Sequence, residues 1–342
     1  MMSLIREARE LFETARGWHR EGQPVALLTL VGVKGSAYRR PGAKMVMAKS
    51  GRMKGTLSGG CLEGDLFGHA ERVMETGTPS IQHYDLTEDE MWGLGIGCKG
   101  QIDIWIEPLN LEEPFWQDYA SALAAERPVL WGGRLPEGLR YFALEGEPLR
   151  VKGSSEAPIT WEEAETHGST GIRDGYWWDI MRPPERLILA GAGHDARPVA
   201  ALAQKAGFEV VVLDPREHVN NERQFPQTEH WLKSAGDVNP DDVTGSFWVI
   251  MNHHQRRDEE ALKLAAASRP KFLGVLGPRA RTREMIENTG IQPAELPLHS
   301  PVGLDLAAES PDEVAVSIVS ELMAARSHSS GRSLDGQDRI HR

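Results

Sequence analysis

The sequence predicts an α/β protein whose C-terminal half is built on a doubly wound parallel sheet. From residue 186 onwards, short buried strands alternate with amphipathic helices, and a glycine turn joins the first strand to the first helix. Strands and helices that alternate in this way form parallel sheets with right-handed crossovers. Two adjacent prolines, Pro183 and Pro184, precede this region. They indicate a domain boundary, because each proline fixes φ and removes a backbone donor.

The length of the chain also indicates more than one domain. A chain of 342 residues is too long for one ordinary hydrophobic core, and its 40 % hydrophobic and 26 % charged residues are typical of globular proteins. We expect an N-terminal domain over residues 1–182, with a tryptophan-rich connecting segment, and a second domain over 183–326. Residues 327–342 are polar, and we expect a disordered tail there.

Charge and apolar patterning exclude two classes of partner. The formal net charge of −12 argues against a nucleic-acid surface, because phosphate backbones require clustered Lys and Arg. The first ten residues carry several charges, and the longest apolar stretch, around residues 24–33, is far shorter than a membrane span of about 20 residues. With only two cysteines, no disulfide framework is expected. We therefore expect a cytoplasmic protein with no membrane contact.

Apolar periodicity defines the elements of the N-terminal domain. In order, they are a helix over residues 4–15, strands over 25–31 and 44–48, a helix from residue 62 and a strand over 101–107. From 110 to 184 the chain is rich in Gly, Pro and acidic residues but also in tryptophan. We expect short strands and hairpins in that segment.

The C-terminal domain shows the regular alternation of a parallel sheet. Strands are predicted over 186–190, 209–213, 247–251 and 271–276, and helices over 197–206, 259–267, from 281, and over 311–325. Ser310 is the expected N-cap of the last helix, with acidic residues in its first turn, where the helix dipole favours anions.

The glycine turn of this domain is the clearest candidate for phosphate binding. It follows a strand, opens a helix and reads Gly191-Ala192-Gly193-His194-Asp195-Ala196. Glycines let the backbone approach a pyrophosphate, and free N–H groups at the helix N-terminus attract it. Asp214 ends the next strand, where a carboxylate can accept from ribose hydroxyls. These residues predict a Rossmann-like nucleotide site, with these cofactor-binding candidates: Gly191, Gly193, His194, Asp195, Ala196 and Asp214.

Two residues in this turn complicate a simple dinucleotide interpretation. His194 and Asp195 place a ring and a carboxylate at the mouth of the turn. The carboxylate would repel a pyrophosphate unless it were turned away. Asp195 can equally serve as the N-cap of the following helix. Both roles stay open at this point.

A second anion site is predicted in the N-terminal domain, over residues 35–44. Three cations and two glycines occur within ten residues of an otherwise acidic chain. Arginine forks match phosphate oxygens in pairs, whereas a solvated turn with ordinary surface charges is the alternative. The cofactor-binding candidates here are Gly35, Ser36, Arg39 and Arg40.

Both cysteines lie on glycine-rich turns. Cys61 follows Ser58, Gly59 and Gly60 where a helix begins, a position that favours the thiolate, and these three residues are further cofactor-binding candidates. Cys98 lies next to Lys99 in the glycine loop over 93–100. We take Cys61 and Cys98 as candidate sulfur- or metal-handling thiols, although a small buried apolar role is the alternative for each. No metal site is predicted, because two cysteines without paired histidines do not make a zinc site.

Two more candidates follow strands of the parallel sheet. His253 and Arg279 come after the strands over 247–251 and 271–276, at the edge where open α/β sheets bind ligands. Both are cofactor-binding candidates, and a surface-loop position is the alternative for His253.

Taken together, these segments resemble the XdhC/CoxI family of xanthine dehydrogenase accessory factors. The resemblance covers nearly the whole chain in the same order. It is carried by residues 35–43, 58–63, 93–100, 191–196, 276–281, 300–305 and 311–318. Asn252 stands where the family more often has Thr, and residues 306–308 replace a run that contains more glycine.

The resemblance implies a smaller N-terminal α/β domain of XdhC/CoxI type joined to a Rossmann domain. It also implies an accessory protein or chaperone that binds molybdenum cofactor (molybdopterin) as cargo and assists its sulfuration, protection or insertion into a molybdenum hydroxylase. The implied partners are the apo-hydroxylase, a cysteine desulfurase and a second copy of the chain in a homodimer. From the residues alone, two alternatives stay open: an NAD(P)-dependent oxidoreductase, and a non-catalytic protein that senses a nucleotide.

Overall fold

The computed structural model of the chain describes residues 3–86, 100–136, 139–152 and 159–336. The described residues up to Pro183, together with those from 334 onwards, form one compact unit, and Pro184–Ser333 form the second. We refer to them as unit 1 and unit 2.

Unit 1 combines two sheets with helices. Its described strands are β1 (Ser3–Leu4), β2 (Val25–Gly35), β3 (Lys44–Ala48), β4 (Met53–Gly55), β5 (Ser80–Asp85), β6 (Gly100–Pro108), β7 (Val129–Arg134), β8 (Leu139–Leu144), β9 (Arg150–Lys152), β10 (Thr170–Arg173) and β11 (Tyr176–Arg182). Its described helices are α1 (Ile5–Arg20), α2 (Glu63–Thr76), α3 (Pro114–Ala124) and α4 (Trp161–His167).

The first sheet of unit 1 is antiparallel, in the order β4-β3-β2-β6-β5. In the second sheet the order is β1-β11-β7-β8-β9, with β10 also paired to β11, and only the β1–β11 pair is parallel. The predicted hairpins of the tryptophan-rich segment are therefore present. The prediction omitted α3, whose buried Trp116, Tyr119, Ala122 and Leu123 recur at helical spacing.

One hydrophobic core joins both sheets of unit 1 to α1 and α3. Trp105 of β6, Trp131 of β7 and Trp177 of β11 are fully buried in it. The α1 helix contributes one face, on which Ile5, Ala8, Leu11, Phe12 and Ala15 are buried at the spacing read from the sequence.

Unit 2 has the predicted doubly wound fold. Its described strands are β12 (Arg186–Ala190), β13 (Glu209–Leu213), β14 (Glu229–Trp231), β15 (Phe247–Ile250), β16 (Phe272–Val275) and β17 (Leu298–His299). Its described α-helices are α5 (Ala196–Lys205), α6 (Gln255–Ala267), α7 (Arg279–Thr289) and α8 (Pro311–Arg326). All neighbouring strands are parallel, in the order β14-β13-β12-β15-β16-β17.

This order reverses direction between β12 and β15, which makes that point the switch point of the sheet. Alternate residues of β12 enter the two cores of unit 2: Leu187 and Leu189 pack with α5 and α8, while Ile188 and Ala190 pack with α6. Burial on both faces explains why the strands read as continuous apolar runs.

Ser310 caps α8 as predicted. Its hydroxyl accepts from the Glu313 amide, and the Glu313 carboxylate accepts from the Ser310 amide. Among the described residues, no helix is both long and apolar enough to cross a bilayer.

Candidate functional site

Three of the predicted motifs meet at one end of the five-stranded sheet of unit 1. Gly35, at the end of β2, pairs with Gly100, at the start of β6. The pairing is close, since a Cβ atom on Gly100 would overlap the Ser36 carbonyl oxygen. In the same region, the Tyr38 ring lies against Gly59. We call this end, formed by residues 35–40, residues 58–61 and Gly100, the turn site.

The turn over residues 58–61 is folded around the Glu63 carboxylate. Glu63 accepts hydrogen bonds from the Thr56 hydroxyl (2.8 Å), the Ser58 hydroxyl and the Gly60 amide (3.0 Å). Weaker bonds come from the amides of residues 57, 58 and 62, at 3.2 to 3.4 Å. Partial burial by itself would raise the pKa of Glu63, but the hydrogen bonds from Ser58 and Thr56 outweigh it and lower the pKa.

This arrangement limits what the cofactor-binding candidates Ser58, Gly59 and Gly60 can offer to a ligand. Their backbone amides are not free to bind a phosphate. The amides of Ser58 and Gly60 instead donate to Glu63, and that of Gly59 donates to the Thr56 hydroxyl at 3.0 Å. The turn therefore keeps its shape through the protein's own acceptors, and its backbone donors are occupied.

Cys61 is presented by this turn to solvent. It is a free, exposed cysteine, and the amides of the residues on either side of it donate to Glu63. Exposure excludes the alternative in which Cys61 is a small buried apolar residue. Cys98, the other candidate thiol, lies outside the described residues, as does most of its glycine loop.

The cations of the 35–44 segment have separate roles. Arg39 donates to both carboxylate oxygens of Glu7, at 2.8 and 3.1 Å. Lys44 is buried and forms an ion pair with Asp179 at 2.5 Å. The half-buried Arg40 has no hydrogen bond or ion pair to its side chain in the described part of the chain, and its Nε is buried without an acceptor. Arg40 is therefore the cation of the turn site that is left for an anion.

In unit 2, the glycine turn leads from β12 into α5 beside the switch point. Gly191 has φ +121°, and a Cβ atom there would lie 2.6 Å from the Met251 carbonyl oxygen, so only glycine fits between β12 and β15. Asp195 makes no capping bond to α5. Its Oδ2 instead lies 2.7 Å from Nε2 of His253, which has φ +54°. Asp195 therefore occupies the N-cap position of α5 without capping the helix through its side chain, and the carboxylate turns toward His253.

Asp214, the predicted acceptor for ribose hydroxyls, is bound by the protein's own donors. The carboxylate is fully buried and accepts from the Ala192 amide (3.0 Å), from the Arg216 amide (2.9 Å) and from two guanidinium nitrogens of Arg216 (2.9 and 2.6 Å). Burial alone would raise the pKa of Asp214, but the donors from Arg216 and Ala192 lower it. Because protein donors fill both oxygens, a ribose hydroxyl would have to displace one of them.

Three residues that sequence reasoning missed shape these turns: Glu63, Arg216 and Asp258. Asp258 is buried, accepts from the backbone and side-chain amides of Asn252, each at 3.0 Å, and binds Arg281. Arg279, the predicted candidate, is instead exposed at the start of α7. For Glu63 and Asp258 the sequence carried a signal, because each acid lies within six residues of the backbone amide that it binds. Arg216 had no such signal, since its partner Asp214 is 22 residues from the Ala192 amide.

Comparison with known proteins agrees with this architecture. A model of the XdhC Rossmann domain matches residues 187–322, and a model of the XdhC and CoxI family matches residues 18–85. The chain is 30 % identical over 320 residues to a probable xanthine dehydrogenase subunit of Bacillus subtilis strain 168, and the match covers 89 % of this chain and 94 % of that protein. It is 24 % identical over 312 residues to the molybdenum cofactor insertion chaperone PaoD of Escherichia coli K12, covering 90 % and 85 % of the two chains.

Among solved structures, the crystal structure of a xanthine dehydrogenase from Bacillus halodurans at 2.80 Å resolution superposes with a TM-score of 0.80. The two sequences are 32 % identical, and the match covers 95 % of this chain and 97 % of the other. The resemblance read from the sequence motifs is thereby confirmed, and the chain belongs to the XdhC and CoxI family.

Proposed function

We propose that this protein binds molybdenum cofactor as cargo and assists its insertion into a molybdenum hydroxylase. The observation that carries the proposal is the turn site, where an exposed thiol and an arginine without a protein partner in the described chain lie on neighbouring turns. The similarity to PaoD, which is named as a molybdenum cofactor insertion chaperone, supports the same role.

The cargo matches the chemistry of the turn site. Molybdopterin combines a reduced pterin, whose pyrimidinone ring is planar, with a phosphate and a dithiolene that holds the metal. The Arg40 guanidinium would bind the phosphate through charge-assisted hydrogen bonds, with Ser36 and Gly35 on the same turn. The Cys61 thiol would face the metal, because the thiolate is the form of cysteine that binds metals. Cys98 is the second candidate for this role.

The partners belong to the same proposal. A cysteine desulfurase would supply the sulfur ligand of the metal, and the apo-hydroxylase would receive the sulfurated cofactor. We propose a cytoplasmic homodimer as the working form and 1–182 and 183–326 as its domains. These assignments rest on the family resemblance.

NAD(P) binding at the glycine turn of unit 2 is the weaker candidate. Gly191 has the conformation that a phosphate turn needs, but the Asp195 carboxylate approaches within 2.6 Å of a Cβ position on Gly193. Asp214, the residue expected to bind the ribose, already accepts four hydrogen bonds from the protein. A direct titration with NADH and NADPH distinguishes this candidate, since micromolar binding with hydride transfer would favour it.

The proposal is tested by measuring cofactor binding and hydroxylase activation with the same protein preparations. The full-length chain should bind molybdenum cofactor saturably and should raise the activity of an apo-hydroxylase in a reconstitution assay. Cys61→Ala should lower activation at least several-fold while the thermal unfolding curve stays unchanged, because the exposed thiol contributes little to packing. Cys98→Ala is measured in parallel. Absence of saturable binding, together with full activation by both variants, would contradict the proposal.

A further inference from the structure

Tyr38 differs from the other four tyrosines of the chain in its exposure. The residue is 57 % exposed, the largest value among the exposed large hydrophobic residues in the described ranges. Tyr119 and Tyr141 are buried in the core, and Tyr84 and Tyr176 are half-buried. Tyrosine is enriched at binding surfaces, because its ring is apolar while its hydroxyl stays hydrated. Exposure alone is common, so the contacts of the ring decide what it can do.

The position of Tyr38 is set by a close contact with the neighbouring turn. Gly59 has φ +75°, and a Cβ atom built there would lie 3.3 Å from two carbon atoms of the Tyr38 ring. That distance is tighter than an ordinary van der Waals contact, so a side chain at position 59 would push the ring aside by a few tenths of an ångström. Gly59 in turn is held by Thr56, which itself binds Glu63. The ring therefore rests on a turn that is ordered by the protein's own hydrogen bonds.

Two chemically different groups are carried by the two turns that meet at this ring. Arg40 follows Tyr38 by two residues on the same turn and has no protein partner for its guanidinium in the described structure. Cys61 follows Gly59 by two residues on the other turn and is exposed. A flat ring with an anionic substituent would thus meet an aromatic surface and a cation from a single turn. Stacking on an aromatic side chain tolerates many heterocycles, because each presents a π-face.

We propose that Tyr38 is a stacking subsite for a planar heterocyclic ring that carries an anionic group. This inference rests on the proposed function and deepens it: the ring would be the pterin of the cargo, with its anionic substituent at Arg40. Tyr38 acts through ring contact with the ligand, whereas Gly59 positions the ring.

The experiment uses 6-carboxypterin, a fluorescent pterin with a carboxylate, titrated against the full-length protein. Tyr38→Phe should bind the probe as the original chain does, because the ring is retained. Tyr38→Leu should weaken binding roughly tenfold, as expected from the loss of one stacked base-like ring. Unchanged probe affinity in Tyr38→Leu, or no binding by the original chain, would overturn the subsite.

A second pair of variants tests the contact between the two turns. Gly59→Ala should displace the ring and weaken probe binding. Gly51→Ala is the matched control, because Gly51, between β3 and β4, has a similar φ of +85° but its Cβ would meet nothing within 4 Å. Equal probe affinities for Gly59→Ala and Gly51→Ala would contradict the positioning role of Gly59.

The same variants separate failure of the subsite from failure of the proposed function. If molybdenum cofactor binds the original chain and Tyr38→Leu equally well, the stacking subsite is wrong and the chaperone role stands. If the probe binds through Tyr38 but molybdenum cofactor does not bind at all, the chaperone role is wrong and the subsite stands.

Discussion

At the scale of single residues, two adjacent arginines of the turn site have opposite surroundings. Arg39 forms a two-oxygen contact with Glu7 of α1, whereas the Arg40 guanidinium has no partner among the described side chains. A guanidinium that is already neutralised has little to gain from a ligand anion. Arg40 is therefore the one expected to contribute to the binding of a phosphate.

This difference makes a prediction for charge-removing variants. Arg40→Gln should weaken binding of molybdenum cofactor by about 10- to 100-fold, because a hydrogen bond to a charged group is worth about 1.5–3 kcal/mol. Arg39→Gln also removes one positive charge, but the only contact it removes is the one with Glu7. It should therefore change the affinity for molybdenum cofactor little and lower the free energy of unfolding by at most about 1 kcal/mol. Affinities are measured by titration at two salt concentrations. An equal loss of affinity in Arg39→Gln and Arg40→Gln would mean that net charge, rather than a specific contact with Arg40, determines binding.

At the scale of elements, chain carboxylates occupy the backbone donors of several turns. Glu63 fills the turn before α2, Asp214 binds the glycine turn before α5, and Asp258 binds the loop before α6. Each carboxylate takes the place that an external anion could hold. The protein's own acceptors therefore order these turns, and the turn before α2 presents the exposed Cys61.

The lowered pKa of Glu63 makes the stability of the turn before α2 depend on pH. Because the folded-state pKa lies below the ordinary value of about 4.5, the stabilisation is complete above that value and is lost as the pH falls through the lowered pKa. Glu63→Gln should lower the free energy of unfolding by about 1–3 kcal/mol at pH 7, since several partly buried donors lose a charged acceptor. The difference in the free energy of unfolding between Glu63→Gln and the original chain should become smaller as the pH falls through the lowered pKa.

Urea unfolding between pH 7 and pH 3 measures this effect. Glu13→Gln, at an exposed position of α1, is the control and should show no comparable loss at pH 7. A stability difference for Glu63→Gln that is the same at pH 7 and pH 3 would rule out the proposed role of the charged carboxylate.

At the scale of whole units, a buried ion pair ties the two sheets of unit 1 together. Lys44 of β3 in the first sheet pairs with Asp179 of β11 in the second, and both are almost completely buried. Lys44 also donates to the Gly42 carbonyl, and Asp179 accepts from the Thr170 hydroxyl at 3.0 Å. Replacing only one residue of this pair should lower the stability strongly, because the charge of the other residue would remain buried without a partner.

Breaking this pair is expected to cost far more than breaking a surface pair. Lys44→Met should lower the free energy of unfolding by about 3–5 kcal/mol, and the double variant Lys44→Met with Asp179→Leu should recover much of the loss. Lys49→Met removes the exposed pair with Glu75 and should cost under about 1 kcal/mol. Chemical denaturation compares the three variants. A double variant no more stable than Lys44→Met alone would show that the pair itself is not what joins the sheets.

Features that depend on local pattern could be predicted from the amino-acid sequence. The helical spacing of Leu11 and Ala15 placed α1, and the apolar runs and glycine turn around Gly191 placed the parallel sheet and its first crossover, because side-chain period and backbone φ are properties of short segments. The meeting of Gly35 with Gly100 and of Tyr38 with Gly59 could not be predicted in this way, since it depends on how the sheet of unit 1 is assembled.

The availability of charges and donors in the candidate site follows from long-range folding. Arg39 is neutralised by Glu7, 32 residues away, and Lys44 by Asp179, 135 residues away, while Arg40 is left without a partner among the described residues. A local motif shows which groups a turn carries. The folding of distant segments determines which of those groups are already paired, because hydrogen bonds and ion pairs depend on distance in space and not along the chain.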